Sequence, residues 1–166
     1  TPGDTTRTTS CSTPPELERV ACFLMGPDRE NAVRFLVQNT TREERIFVGL
    51  AKHDRIIIND NLTYFAAGRL PATRWHHFDP GLQTRADIQA EIIADLETHA
   101  VRYIVLTSEW EAMIEPNESA KSSGVHLLDD YVRTHYRPIR AYGKLSIWFR
   151  DIEPKQAFRP KDQPPA

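Results

Sequence analysis

The stretch RADIQAEIIADLETHAVRYIVLT, residues 85–107, decides the fold because it joins an amphipathic helix directly to an apolar strand. The apolar residues of its first half recur at helical spacing: Ile88, Ile92, Ile93 and Leu96. This spacing predicts a helix over 85–99 that buries one stripe, with Thr84 as its cap. The run VRYIVLT (101–107) is apolar or β-prone on both faces, which is typical of a central strand. A helix that leads straight into such a strand indicates an α/β domain.

The rest of the chain continues this alternation. Further helices are predicted at 15–25, 29–39, 61–68 and 124–136, and strands at 45–49, 55–58, 72–78 and in a hairpin over 138–150 around Gly143-Lys144. Asn59 or Asp60 caps the short helix, and Gly68 ends it. We therefore expect a layered α/β domain with a mainly parallel sheet flanked by helices and a C-terminal antiparallel hairpin.

The length and composition of the chain limit the number of domains and the classes of partner that it can bind. The 166 residues allow one domain over 16–150, between a Thr/Ser/Pro-rich linker (1–15) and a Pro-rich polar tail (151–166). Lys and Arg number 21 and Asp and Glu 23, so the net charge of −2 argues against binding to nucleic acid or an anionic membrane. No apolar run approaches the roughly 18 residues of a membrane span. Because the chain starts at Thr1, we expect a processed product or an excised piece.

Motifs for common cofactors and nucleophiles are missing. The sequence contains no G-x-G-x-x-G, phosphate-binding loop, G-x-S-x-G, H-E-x-x-H or C-x-x-C pattern, so no cofactor is predicted. The two cysteines, Cys11 and Cys22, cannot form a zinc site alone. Their spacing fits a small disulfide, and the apolar surroundings of Cys22 fit a free buried thiol equally well.

The segment RWHHFDPG (74–81) is the densest group of reactive side chains. Neighbouring residues on a strand point to opposite faces, so His76 and His77 cannot bind one metal ion without a local break. His77 and Asp79 share a face and allow a metal site or a catalytic pair. We favour a strand that leaves the sheet through a Pro-Gly turn and continues as a loop able to contact a ligand. No catalytic residue and no metal site is predicted.

Polar residues that follow the predicted strands make up a candidate binding rim. Its members are His53, Asp54, Arg55, Asn59, Asp60, Arg69, Arg74, His76, His77, Asp79 and Asn117. Arginine forks and carboxylates suit an anionic group or a sugar. The amides of Ser123 and Gly124, ahead of a helix, are a further place for an anion. The acidic repeat Asp87, Glu91 and Asp95 is interpreted as a solvated stripe.

Six segments together resemble a known family. They are ERIFVG (44–49), HDRIIIND (53–60), YFAAGRLPATRWHHFDPG (64–81), QAEIIADLETHAVRYIVL (89–106), EPNESAKSSGVHLLDDYVRTHYRPI (115–139) and YGKLSIWFR (142–150). In this order they resemble the C-terminal extracytoplasmic domain of polytopic membrane glycosyltransferases of the GT-C type. The group is the dolichyl-phosphate-mannose–protein mannosyltransferase-like enzymes, related to the bacterial aminoarabinose transferases. Their characteristic elements correspond here to Tyr64–Arg69, Pro71–Trp75 and Leu128–Tyr136.

The resemblance implies an accessory role. The parent enzyme would transfer a sugar from a polyprenyl-phosphate donor outside the cytoplasm, with its catalytic acid in a loop between membrane helices. This domain would shape acceptor binding or cap the membrane-embedded part of the same polypeptide, and would contact a sugar or a lipid-linked sugar acceptor. Two alternatives remain open: a free-standing periplasmic binding or interaction module, and a small metal-assisted hydrolase using His53, Asp54, His77 and Asp79.

Overall fold

The computed structural model describes residues 15–20, 24–55, 58–79, 81–113 and 121–152. The elements in these ranges are a 3₁₀ helix (Pro15–Val20), α1 (Pro27–Asn39), β1 (Arg45–Leu50), α2 (Asn61–Ala67), β2 (Leu70–Pro71), α3 (Ala86–Thr98), β3 (Tyr103–Thr107), α4 (Leu127–His135), β4 (Arg137–Tyr142) and β5 (Leu145–Phe149). Among these described helices, none is long and apolar enough to cross a bilayer.

The five strands form one sheet in the order β2-β1-β3-β5-β4. β1 pairs in parallel with both β2 and β3, whereas β5 runs antiparallel to β3 and to β4. All five residues of β3 are buried, as expected for the central strand. The predicted fold class is confirmed: a helix-flanked α/β domain whose sheet is parallel at one side and antiparallel at the other.

Helices cover both faces of the sheet. Successive residues of a strand point to opposite faces, so Ile46 and Val48 pack with α1 and α2, whereas Phe47 packs with α3 and α4. The helices on each face bury their apolar residues against the sheet. The hydrophobic core is therefore divided into two layers by the sheet.

Two turns depend on glycine. Gly68 ends α2 in the left-handed region, with φ of 62°, and the N–H of Arg69 then reaches the carbonyl of Tyr64 at 3.2 Å. Gly143 turns the β4–β5 hairpin with φ of 55°. Both positions agree with the sequence prediction. Asp60 is the N-cap residue of α2, one of the two candidates for that position.

The prediction of an extended segment over 72–78 is wrong. These residues form bends and turns, and the strand ends at Pro71. The N–H of Ala72 donates to the carbonyl of Ile46 at 2.9 Å, and the hydroxyl of Thr73 accepts the N–H of Trp75 at 3.1 Å. These bonds fold the chain back after two strand residues.

Other predicted elements differ from the structure in their extent. The first helix is a 3₁₀ helix that ends at Val20, and residues 21–23 lie outside the described part. Arg55 and Ile58 belong to no strand, while 56–57 are not described. Arg85, not Thr84, is the N-cap of α3, and α4 begins only at Leu127. Local patterns locate an element better than they locate its end.

Candidate functional site

A buried histidine follows β1, at the carboxyl end of the parallel strands, where α/β domains commonly bind ligands. His53 has no exposed surface, and the rings of Phe47 and Phe78 lie 5.9 and 5.7 Å from it. The N–H of Leu50 donates to Nε2 at 3.3 Å, and Nδ1 lies 2.7 Å from Oδ1 of Asp129. Because an amide N–H can only donate, Nε2 accepts, and the ring carries its proton on Nδ1. Both ring nitrogens are therefore used inside the fold.

Asp129 of α4 holds this histidine with both carboxylate oxygens. Oδ1 faces the ring, and Oδ2 accepts the backbone N–H of His53 at 3.2 Å. Burial opposes ionisation of this carboxyl, but the hydrogen bonds from His53 outweigh it and leave the pKa of Asp129 below its ordinary value. The carboxylate thus fixes the loop after β1 against α4.

Gln89 of α3 completes this arrangement, although the sequence prediction did not include it. Its side chain is fully buried, and Nε2 donates to the carbonyls of His53 at 2.9 Å and Gln83 at 3.2 Å. Its Oε1 accepts the N–H of Leu128 at 3.0 Å. We call His53, Gln89 and Asp129 the His53 network. Since its polar groups are bonded to one another or to backbone, the network positions three elements.

Asp54 also serves the protein's own loops. Its Oδ2 accepts the hydroxyl of Ser122, and its carbonyl accepts the N–H of Ser123 at 2.8 Å. The N–H of Gly124 donates to the hydroxyl of Ser122 at 3.0 Å. The amides of Ser123 and Gly124 are thus already bonded and do not form the anion site considered from the sequence.

Asn59 and Asp60 are buried and hold neighbouring segments together. Nδ2 of Asn59 donates to the carbonyls of Val48 at 2.9 Å and His76 at 2.7 Å. The carboxylate of Asp60 forms a 3.0 Å ion pair with Arg29 of α1. These contacts tie β1, α1 and the turn after β2 together.

Arg69 is a buried arginine that binds carbonyl and hydroxyl groups at two helix ends. Its Nε donates to the hydroxyl of Thr40 and one NH2 nitrogen to the carbonyl of Thr40, both at 2.8 Å. The other nitrogen donates to the carbonyl of Ala67 at 2.9 Å. Burial lowers the pKa of Arg69 from its ordinary value. Its guanidinium joins the carboxyl ends of α1 and α2.

The remaining rim residues within the described ranges keep solvent contact. Arg55 is half-buried, and its guanidinium is 3.4 Å from the carbonyl of Glu111. His77 and Asp79 are exposed, with 3.9 Å between Nε2 and the carboxylate. Arg74 is exposed and His76 half-buried. Asn117 lies outside the described residues.

The four residues of the hydrolase alternative are not arranged as one metal site. His53 and Asp54 are buried and bonded within the fold, whereas His77 and Asp79 face solvent. Across the described ranges, no three histidine, cysteine or acidic side chains come together in a way that could hold a metal ion. Between His77 and Asp79 in the sequence, Phe78 is the residue whose ring packs against His53.

A groove of about 360 Å³ lies beside β2, along the open edge of the sheet. The turn after β2 forms one wall and α3 the other, and we call it the edge groove. Its polar lining consists of Arg45, Thr73, Arg74, His76, Glu91, Asp95 and His99. Only Arg74 and His76 of this set belong to the predicted rim. Glu91 and Asp95 are half-buried here, whereas the sequence predicted a solvated stripe.

An ion pair connects the two walls of the edge groove. Nε and one NH2 nitrogen of Arg74 contact the two carboxylate oxygens of Glu91 at 2.7 and 3.0 Å. The guanidinium also lies over the ring of Trp75, 4.8 Å from its centroid. The hydrogen bond from Arg74 is the main reason why the pKa of Glu91 lies below its ordinary value. Donors and acceptors are thus held side by side at the surface, an arrangement that suits binding.

Comparison with solved structures gives a structural likeness at low sequence identity. No family model matches the chain, and no curated protein matches its sequence. The chain is similar to a crystal structure of the C-terminal globular domain of an oligosaccharyltransferase from Archaeoglobus fulgidus. The identity is 13%, the TM-score 0.42, and the match covers 76% of this chain and 99% of that chain. A likeness of this degree does not assign the chain to a family.

Proposed function

We propose that this chain is a noncatalytic, extracytoplasmic accessory domain of a membrane glycosyltransferase that uses a polyprenyl-phosphate sugar donor. The observation that carries the proposal is that the reactive side chains after β1 are engaged in hydrogen bonds within the fold. His53 and Asp129 have their polar atoms bonded within the fold, which leaves no general base or metal ligand among them. A domain of this kind contributes by binding and positioning.

The segments that carry the family resemblance support the same role. Tyr64–Arg69 forms the end of α2, where Gly68 takes the left-handed conformation and Arg69 binds helix-end carbonyls. Leu128–Tyr136 supplies Asp129 and the buried face of α4. These residues stabilise a scaffold. A motif set that preserves a scaffold suits an enzyme whose reaction takes place elsewhere in the polypeptide.

The partners follow from this role. We infer that the domain contacts the membrane-embedded part of its own polypeptide and a sugar or a lipid-linked sugar acceptor. The alternative of a free-standing binding or interaction module is favoured by one observation, the surface-accessible edge groove. The hydrolase alternative has no comparable support, because its four residues are separated between core and surface.

The size and membrane attachment of the native polypeptide test the proposal. Antibodies raised against this chain are used on membrane and soluble fractions of the source cells, followed by carbonate extraction. We expect a polypeptide much larger than the 19.0 kDa of this chain, and retained in carbonate-washed membranes. Protease treatment of intact spheroplasts should remove the antibody-reactive domain if it lies outside the cytoplasm. A soluble polypeptide near 19.0 kDa would overturn the proposal and leave the free-standing module.

A further inference from the structure

The charges that line the edge groove indicate which class of ligand it can bind. The groove is lined by two arginines, Arg45 and Arg74, and two carboxylates, Glu91 and Asp95, so the charges cancel when the histidines are neutral. A phosphate or carboxylate ligand needs an excess of positive charge to offset its lost hydration. This groove lacks that excess, and its lining favours a ligand that is polar and uncharged.

The hydrogen-bonding groups of the groove are mixed and already oriented. The exposed fractions of Arg74 and Glu91 are 71% and 36%, so both keep capacity for a ligand while holding each other in place. The Arg45 guanidinium is fixed by a 2.7 Å hydrogen bond to the carbonyl of Pro71. Hydroxyl groups both donate and accept, and a row of them can bond to arginine and carboxylate groups together. Sugars present such rows.

Size and access agree with this ligand. A volume of about 360 Å³ lies at the lower end of the roughly 300–1,000 Å³ typical of ligand pockets. The two-residue β2 leaves the groove open along the sheet edge, so a longer glycan can extend beyond the occupied part. Preorganisation of Arg74 by Glu91 and Trp75 reduces the entropy lost on binding.

We propose that the edge groove binds a neutral saccharide, with Arg74, Glu91 and Asp95 as its main contacts. The biological meaning of this site rests on the proposed accessory function, to which it adds a substrate class and a location. The binding itself is a property of this chain. It can therefore be tested apart from the membrane enzyme.

The test is an amide chemical-shift titration of the 166-residue chain with methyl α-mannoside, maltose and N,N′-diacetylchitobiose. We expect millimolar concentrations of at least one of them to shift the amides of residues 72–76 and 91–99. Arg74→Ala and Asp95→Asn should each weaken binding about fivefold or more, the effect of losing one net hydrogen bond. Arg74 is exposed and Asp95 half-buried, and thermal unfolding of each variant verifies that it still folds.

Arg85→Ala is the matched control. Arg85 forms an equivalent exposed pair with Asp87, with contacts of 3.0 and 2.6 Å, but outside the groove. Its loss should leave sugar binding unchanged. Glucose 6-phosphate and inorganic phosphate are titrated in parallel and should shift the groove amides less than the neutral sugars do.

Three results would overturn the inference: no shift with any neutral sugar, stronger shifts with phosphate, or equal weakening by Arg85→Ala. Failure here is distinct from failure of the proposed function. A large membrane polypeptide without sugar binding removes only the groove site. Sugar binding by a soluble 19.0 kDa protein removes the glycosyltransferase role and retains the site.

Discussion

The His53 network and the edge groove contain similar side chains but differ in what those side chains can still bind. In the network, His53, Gln89 and Asp129 are buried and bonded within the fold. In the groove, Arg74 and Glu91 pair at the surface and keep solvent contact. A buried polar group must be satisfied internally, whereas an exposed pair can exchange partners at little cost. Residue type alone therefore does not identify a binding site.

Asp129→Ala should give the largest loss of stability. It leaves the ring Nδ1–H and the backbone N–H of His53 buried without acceptors, which costs about 3 kcal/mol of unfolding free energy. Urea unfolding followed by circular dichroism measures this loss. The control is Asp130→Ala on the same helix, which removes only an exposed pair with Arg133 and should change stability little. Equal losses in the two variants would contradict the network.

Gly49→Ala should give the next largest loss of stability, because His53 of the network and Phe47 fill the space beside Gly49. A Cβ atom there would lie 2.6 Å from Nε2 of His53 and 2.7 Å from the ring of Phe47. We expect a loss of about 1–3 kcal/mol from overpacking. The same change in a His53→Ala background should cost less, since one clashing side chain is gone. A cost that is unchanged in that background would show that His53 does not limit the space.

Acid unfolding should distinguish Asp129 from an ordinary surface carboxylate. The pKa of Asp129 is lower in the folded state than its ordinary value of 3.8, so ionisation of this carboxyl stabilises the fold. This stabilisation is fully present above that value and is lost as the pH falls through the folded pKa. The advantage of the wild type over Asp129→Asn should therefore shrink below pH 3.8. Urea unfolding across a pH series measures it, and a constant advantage would show that charge plays no part.

Replacing the two histidines of RWHHFDPG should give the smallest losses of stability, with a larger loss at His76 than at His77. His76 is half-buried, with its ring in edge contact with Tyr64 at 6.2 Å, so His76→Ala should cost about 1 kcal/mol. His77 has an exposed side chain, and His77→Ala should change stability by about 0.5 kcal/mol or less. Thermal unfolding of both variants provides the comparison. A larger effect at His77 would mean that it is packed more tightly than its exposure indicates.

Sequence patterns predicted most of the fold because its elements are locally encoded. The apolar spacing of 85–99, the strand 101–107, Gly68 at the end of α2 and the hairpin turn at Gly143 all correspond to observed features. The failure at 72–78 has a local cause as well. Pro71 and the side chain of Thr73 turn the chain before a longer strand can form.

The candidate site was harder to predict because it depends on pairings between distant residues. Gln89 gave a signal, since it is a polar residue on the apolar face between Ile88 and Ile92. Asp129 gave none, because its neighbour Asp130 has the same side chain and faces solvent. Glu91 belonged to an acidic repeat, and its half-buried position and its contact with Arg74 distinguish it from the exposed Asp87.

The sequence by itself determined the α/β class, the central strand and the hairpin, because periodic burial and turn chemistry act over a few neighbouring residues. Only the tertiary structure decided which polar residues have their hydrogen-bonding groups satisfied within the fold. His53 meets Asp129 across 76 positions of sequence, while Arg74 meets Glu91 across 17 at the surface. The first pairing is buried between packed layers and becomes structural. The second remains at an open edge, where solvent or a ligand can compete for it.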